Sequence, residues 1–199
     1  MIHLFLAPGF EDIEAIAPID ILRRCRLDVQ AVSITADLQV ESAHATKIFA
    51  DVLFSEADFT DSQALILPGG WPGAKNLSEH EGLRSLLLSH FERGGLTCAL
   101  CAAPMVLGIN GILEGRKATC YPGFEGQLRG ADFTGAWVQE DGNVITGRGP
   151  GAALEFAYTI AARFTGWDFI RRLQEGMIYT PSATPKADVR GAQPATPAE

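Results

Sequence analysis

Short apolar runs alternate along the chain with longer segments of helical period. Ile2 to Leu6, Val29 to Thr35, Ala64 to Leu67, Thr97 to Leu100 and Lys117 to Cys120 read as strands, with Val144 to Thr146 a sixth. Several are almost wholly apolar, as strands are when helices cover both faces of a sheet. Helices are expected to begin near Glu11, Glu81, Ala102 and Gly151. Ile13, Ile16, Ala17 and Ile21 form the apolar stripe of the first, and Leu83, Leu86, Leu87 and Phe91 that of the second. Asp141-Gly142, between Trp137-Val138 and Val144-Ile145, reads as a hairpin with a primed turn. The alternation predicts stacked βα units in one α/β domain, with a mostly parallel sheet and helices on both faces.

The pattern stops near the end. From Pro181 onward, PSATPKADVRGAQPATPAE offers only Val189 as a large aliphatic. Such a segment buries too little surface to offset its ordering entropy, so residues 180–199 are expected to be a flexible Pro/Ala-rich tail behind a domain of residues 1–179.

At 199 residues and 47% hydrophobic content, the chain suits one domain with a sizeable core. The net charge of −8 and scattered Lys and Arg argue against nucleic acid or an anionic membrane as partner. The opening MIHLFLAPGF has no basic leader region and reads as a first strand. No stretch approaches the roughly 20 apolar residues of a membrane span. The expectation is a soluble cytoplasmic protein.

Four cysteines, Cys25, Cys98, Cys101 and Cys120, are too few for a disulfide framework in a chain of this size. Cys98 and Cys101 make a lone C-x-x-C. His3, His44, His80 and His90 form no His-x-x-x-His pair, so no metal is expected.

The chemistry concentrates on Cys101. Between Leu100 and Pro104 an apolar strand passes into a helix through Cys-Ala-Ala. A nucleophile elbow needs small residues two places either side of the nucleophile, because the backbone bends sharply and packs closely there. Ala99 and Ala103 occupy those places, and Pro104 suits a first helical turn. A thiol at a helix N-terminus is expected to gain thiolate character from the dipole and the unpaired N–H groups. For Cys25, Cys98 and Cys120 the expectation is a buried small hydrophobe.

Pro8-Gly9 ends the first strand, and Glu14 follows at the carboxyl edge of the sheet, where open α/β sheets bind ligands. Glu14 lies off the stripe of Ile13, Ala17 and Ile21, and Pro18 is expected to bend the helix at the Glu14 carbonyl. On these grounds Glu14 reads first, with Glu11 and Asp12, as an acidic complement to a helix N-terminus, and only second as a site carboxylate. Pro68-Gly69-Gly70 closes another strand with backbone free to approach a ligand. Gly147-Arg148-Gly149-Pro150-Gly151-Ala152 satisfies G-x-G-x-x-A, yet Pro150 removes an N–H and no second strand leads to Asp168. It reads as a structural turn.

Five ordered segments, APGFEDIEAIAPIDILRR, ALILPGGWPGAKNLSE, CALCAAPMVLG, ATCYPGFEGQL and ITGRGPGAALEFA, resemble the ThiJ/PfpI superfamily in its DJ-one branch. The likeness runs from Met1 to about Tyr179. It implies a flavodoxin-like three-layer sandwich in which a protonated Glu14 hydrogen-bonds Cys101. It also implies an anion or oxyanion site from the N–H groups of Gly70 and Ala102 beside Gly69. Arg24 and His44 match basic pocket positions, and a homodimer without cofactor is expected. Tyr121, before Pro122, replaces the histidine that many members carry, so no cysteine-histidine dyad of the usual kind forms.

The resemblance implies a glyoxalase- or deglycase-type activity on small dicarbonyls or their amine or thiol adducts, giving 2-hydroxy acids. The alternative is an oxidative-stress sensor or redox chaperone using Cys101. A weaker one is a small hydrolase or hydratase.

Overall fold

A computed structural model describes residues 1–179, so the expected tail lies outside the described residues. In chain order the elements are β1 (Ile2–Leu6), α1 (Asp12–Arg24), β2 (Val29–Ser33), β3 (Gln39–Glu41), β4 (Lys47–Phe49), β5 (Val52–Leu53), β6 (Ala64–Leu67), α2 (Gly73–Glu79), α3 (Glu81–Glu92) and β7 (Leu96–Leu100). They continue with α4 (Pro104–Ile109), β8 (Lys117–Ala118), β9 (Asp132–Phe133), β10 (Val138–Asp141), β11 (Val144–Gly147), α5 (Ala153–Thr165) and α6 (Trp167–Gly176).

Seven strands form one sheet in the order β10-β11-β7-β6-β1-β2-β5, parallel except for β10. Its parallel centre has the 2-1-3-4-5 order of a flavodoxin-like fold, whose switch point lies between β1 and β6. Helices α1 and α5 pack together on one face, and α2, α3 and α4 cover the other. Every residue of β1, β6, β7 and β11 is therefore buried, which is why these runs carry so few polar side chains.

Several expected elements shift. Strand β2 ends at Ser33, whose hydroxyl donates to the Asp37 carbonyl and holds the turn that follows. Lys117 to Cys120 is not a strand of the main sheet. Only Lys117–Ala118 is extended, and it pairs with β9. The Lys117 and Thr119 N–H groups donate to the side chains of Asp141 and Thr146, so side chains replace the ladder beside the hairpin. In that hairpin Asp141 pairs with Val144, which makes Gly142 and Asn143 the turn; Gly142 takes φ +61°.

Helix α1 is turned by one residue from the expected stripe. It buries Glu14, Ala15, Pro18, Ile21 and Leu22, a face spaced i, i+1, i+4, i+7, i+8. Ile13 and Ile16 instead face outward, 55% and 44% exposed. The helix continues through Pro18. The helix expected near Ala102 starts at Pro104, and the one near Gly151 starts at Ala153 after a 3₁₀ turn. The β3–β4 hairpin, β5, α2 and α6 are short or mixed in pattern and escape a periodicity reading.

Phe156, buried in α5, packs on Gly147, where an added Cβ would stand 3.2 Å from its ring. Phe156→Ala is expected to lower the unfolding free energy by about 3–5 kcal/mol. Urea denaturation checks this, and a loss below about 1 kcal/mol would contradict the packing described.

Candidate active site

The carboxyl ends of β1, β6 and β7 meet at the switch point, and each delivers one part of a cluster. From β7 comes Cys101, at φ +62°, a conformation that costs a non-glycine residue roughly 1–3 kcal/mol. The surroundings hold it there. Its N–H donates to the Gly147 carbonyl at 2.9 Å, and its own carbonyl accepts from the Tyr121 N–H at 2.8 Å. The end of β11 and the loop after β8 thus support the elbow.

From β1, the loop through Gly9 and Phe10 leads into α1. The Gly9 N–H donates to Glu41, the Ala43 N–H to Phe10, and the Glu11 N–H to the Gly69 carbonyl at 3.0 Å. This clasp turns Glu14 into the protein, where it is wholly buried. Its Oε2 accepts from the Gly69 N–H at 2.7 Å, while Oε1 has no hydrogen-bond partner; the carboxyl lies close enough to the Cys101 thiol for each to shift the other. Glu11 and Asp12 serve the helix end; Glu14 does not.

From β6 comes the glycine loop. A Cβ on Gly69 would stand 2.7 Å from Glu14 Oε2 and 2.8 Å from Cys101 Cβ, so a side chain there would separate the two. Gly70 takes φ +89°, and a Cβ on it would meet the Glu11 nitrogen at 2.4 Å. The backbone N–H groups of Gly70 and Ala102 lie close enough to the Cys101 thiol to pull its pKa down.

Burial pushes the Glu14 carboxyl up to about 8, against the opposing pull of the Cys101 thiol and the Gly69 N–H. Burial also pushes the Cys101 thiol up, as do the charge and hydrogen bonding of an ionised Glu14; the Gly70 and Ala102 amides pull it down. With its carboxyl raised to about 8, Glu14 keeps its proton near neutral pH, which removes that repulsion. The expected help from a helix N-terminus is small: α4 has six residues and begins three positions after Cys101. The stabilising N–H groups belong to two turns instead.

The other expected pocket residues separate. His44 Nδ1 lies 3.1 Å from Asp12 and 3.2 Å from Glu11, and Ser42 donates to Asp12 at 2.9 Å. These three acidic and imidazole groups lie close enough to share a metal ion, yet they already partner one another. Arg24 pairs with Asp20 at 2.8 Å, ten residues along α1 from Glu14, so this chain's own fold does not bring it to Cys101. Tyr121 and Pro122 are exposed beside the elbow. All four cysteines are buried and free. Cys98 has Arg163 and Glu140 as its nearby charges, on the α5 side, away from the cluster. Burial pushes the Cys120 thiol up to about 12.

Sequence reasoning passed over Gly69 as a spacer and the rings of Trp71 and Phe124, whose centroids are 5.9 Å apart. The Trp-Pro step directly after Gly69-Gly70 is the one signal that pointed to them. A hollow of about 400 Å³ at the amino edge of the sheet, lined by Gln30, Val52, Glu56 and Asp58, shares no residue with the cluster.

A buried carboxyl and thiol on a strained elbow, at the switch point of a 2-1-3-4-5 sheet, define a cysteine-elbow α/β protein. The chain belongs to the DJ-1/PfpI family, which it matches over residues 1–163. It is 39% identical over 166 residues to Protein DJ-1 homolog A of Arabidopsis thaliana, covering 81% of this chain and 42% of that protein. It thus spans about two fifths of the length of that relative and of homolog B from the same plant. It is 33% identical to the glutathione-independent glyoxalase DJR-1.2 of Caenorhabditis elegans, covering 78% of this chain and 83% of the other. It is 30% identical to the deglycase PYRAB04690 of Pyrococcus abyssi, covering 73% and 87%. Among solved structures, the C103A mutant of the DJ-1 superfamily protein STM1931 from Salmonella typhimurium superposes with a TM-score of 0.86. The identity is 35%, over 90% of this chain and 98% of that one.

The raised Glu14 pKa has a consequence for stability. Between its unfolded value of 4.5 and about 8, the folded chain holds a proton that the unfolded chain has lost, so stability falls as pH rises through this window. Glu14→Gln is expected to flatten the decline in Tm between about pH 5 and pH 8. Comparison with the wild type cancels contributions from other buried groups such as His3. Equal slopes in the two proteins would overturn the assignment.

Proposed function

We propose that the protein is a cofactor-independent cysteine enzyme that converts small 2-oxoaldehydes, free or as amine or thiol adducts, to 2-hydroxy acids. The observation that carries this reading is the buried Glu14 carboxyl, held by the Gly69 N–H across a gap with no side chain from Cys101 on its strained elbow, with the Gly70 and Ala102 amides near the thiol. The likeness to the nematode glyoxalase and the archaeal deglycase supports it.

In the proposed sequence the Cys101 thiolate adds to the aldehyde carbon, and Glu14 gives its proton to the aldehyde oxygen. The Glu14 carboxylate so formed takes the proton on the former aldehyde carbon and returns it to the neighbouring ketone carbon, while the hydroxyl proton moves across to the ketone oxygen. One carbon is oxidised as the other is reduced, leaving a 2-hydroxy thioester. Water cleaves the carbon–sulfur bond, giving a proton back to Glu14 as the thiolate leaves. An amine or thiol adduct enters when sulfur displaces that group. The chain has no histidine after His90, so the base work falls to Glu14. The reading includes a homodimer, for which exposed Ile13 and Ile16 on α1 offer apolar surface.

Purified protein given methylglyoxal is expected to form lactate. Cys101→Ala should abolish turnover, and Glu14→Gln should lower kcat by about 10²–10⁴-fold. Undiminished turnover by Cys101→Ala would overturn the reading.

A second reading, oxidation sensing, draws on the same donors. The Glu14 O–H and two amides would hydrogen-bond a Cys101 sulfinate as they do the thiolate. Under mild peroxide, intact-mass and peptide analysis should show two oxygens added at Cys101 before any of the other three cysteines. Equal rates at Cys120 or Cys25 would exclude it.

A further inference from the structure

We infer that the site takes 2-oxoaldehydes bearing an aromatic ring in preference to methyl-bearing ones, the selecting surface being Trp71, Tyr121 and Phe124. The inference rests on the proposed carbonyl chemistry and adds the class of substrate.

Cys101 is only 7% exposed, so little more than a reacting carbonyl reaches it and the rest of a substrate lies on the rim of the mouth. One side of that rim follows from the Gly70 amide, which lies close to the Cys101 thiol; the next residue is Trp71, 55% exposed. The other side follows from Tyr121, whose N–H binds the Cys101 carbonyl and whose ring is 39% exposed.

Both rings are held in place. Trp71 packs on the half-buried Phe124, joining the glycine loop to the loop after β8. Tyr121 lies against Gly149, where a Cβ would stand 3.1 Å from its ring. Fixed rings pay little ordering entropy when another ring stacks on them, and a ring–ring contact supports about a tenfold preference.

Charge points the same way. Arg24 is paired with Asp20, and His44 is taken up by Glu11 and Asp12, so neither expected cation is free to receive a substrate carboxylate. Glu11 and Asp12 stand near the glycine loop and repel an anionic substrate. A neutral aryl group meets no such penalty.

The test compares kcat/KM for phenylglyoxal, read as mandelate, with that for methylglyoxal, read as lactate, in the wild type, Trp71→Ala and Phe124→Ala. The wild type should favour the aryl substrate about tenfold, and each variant should bring the ratio close to one. A rim that serves only folding would lower both values together and leave the ratio unchanged, which would overturn the inference while methylglyoxal turnover upheld the chemistry. If neither substrate is turned over, the chemistry fails, and calorimetric titration of the wild type with phenylglyoxylate and with pyruvate decides the rest. About tenfold tighter binding of the aryl acid, lost in Trp71→Ala, supports aromatic selection; equal affinities overturn it.

Discussion

Gly69 has no side chain, and the space this leaves lets a carboxyl and a thiol share one dry compartment. The nearest atoms to its missing Cβ are Glu14 Oε2, Cys101 Cβ and the Leu100 carbonyl, all within 2.8 Å. Everything else in the cluster follows from that contact. Glu14 is fixed by the Gly69 N–H, and Cys101 by backbone bonds to Gly147 and Tyr121. Both groups are then buried, where neither readily carries charge.

How the two groups are protonated governs the chemistry. Burial opposes charge on either partner, so an ionised carboxylate beside a thiolate is the least favourable arrangement. In the proposed chemistry a protonated Glu14 acts as a donor to sulfur and makes thiolate accessible without a cationic partner. The usual cysteine–histidine solution would place an imidazolium there; the proposal instead assigns the task to a carboxylic acid and two amides. Tyr121 is thereby free of proton transfer, and its ring is available to shape the mouth.

The central strands and the cysteine elbow could be read from the sequence because they depend on local pattern. Nearly apolar runs identified β1, β6 and β7 to within a residue, and Ala99, Cys101 and Ala103 carried the elbow spacing. The face of α1 could not be read so directly. A buried Glu14 looks polar to any periodicity count, so the stripe was assigned to Ile13 and Ile16, which lie outward. The importance of Glu14 came from family resemblance, and its burial from contacts 55 residues distant. The Lys117–Thr119 segment misled for a related reason: its N–H groups are met by Asp141 and Thr146 side chains, not by a neighbouring strand. The ties of Arg24 and His44 to nearby carboxylates were equally invisible, since they depend on the final path of the chain.

The sheet order also determines when the thiol becomes special. Glu14, Gly69 and Cys101 are far apart in sequence and meet only when β1, β6 and β7 have paired in parallel, a long-range arrangement that forms late compared with local helix. Until then Cys101 is one of four equivalent thiols, with neither acid nor amides to distinguish it. A chain still emerging or partly folded therefore has no selective target to offer a carbonyl or an oxidant. Completion of the central sheet is what brings the acid, the amides and the thiol together, so any selectivity belongs to the finished fold.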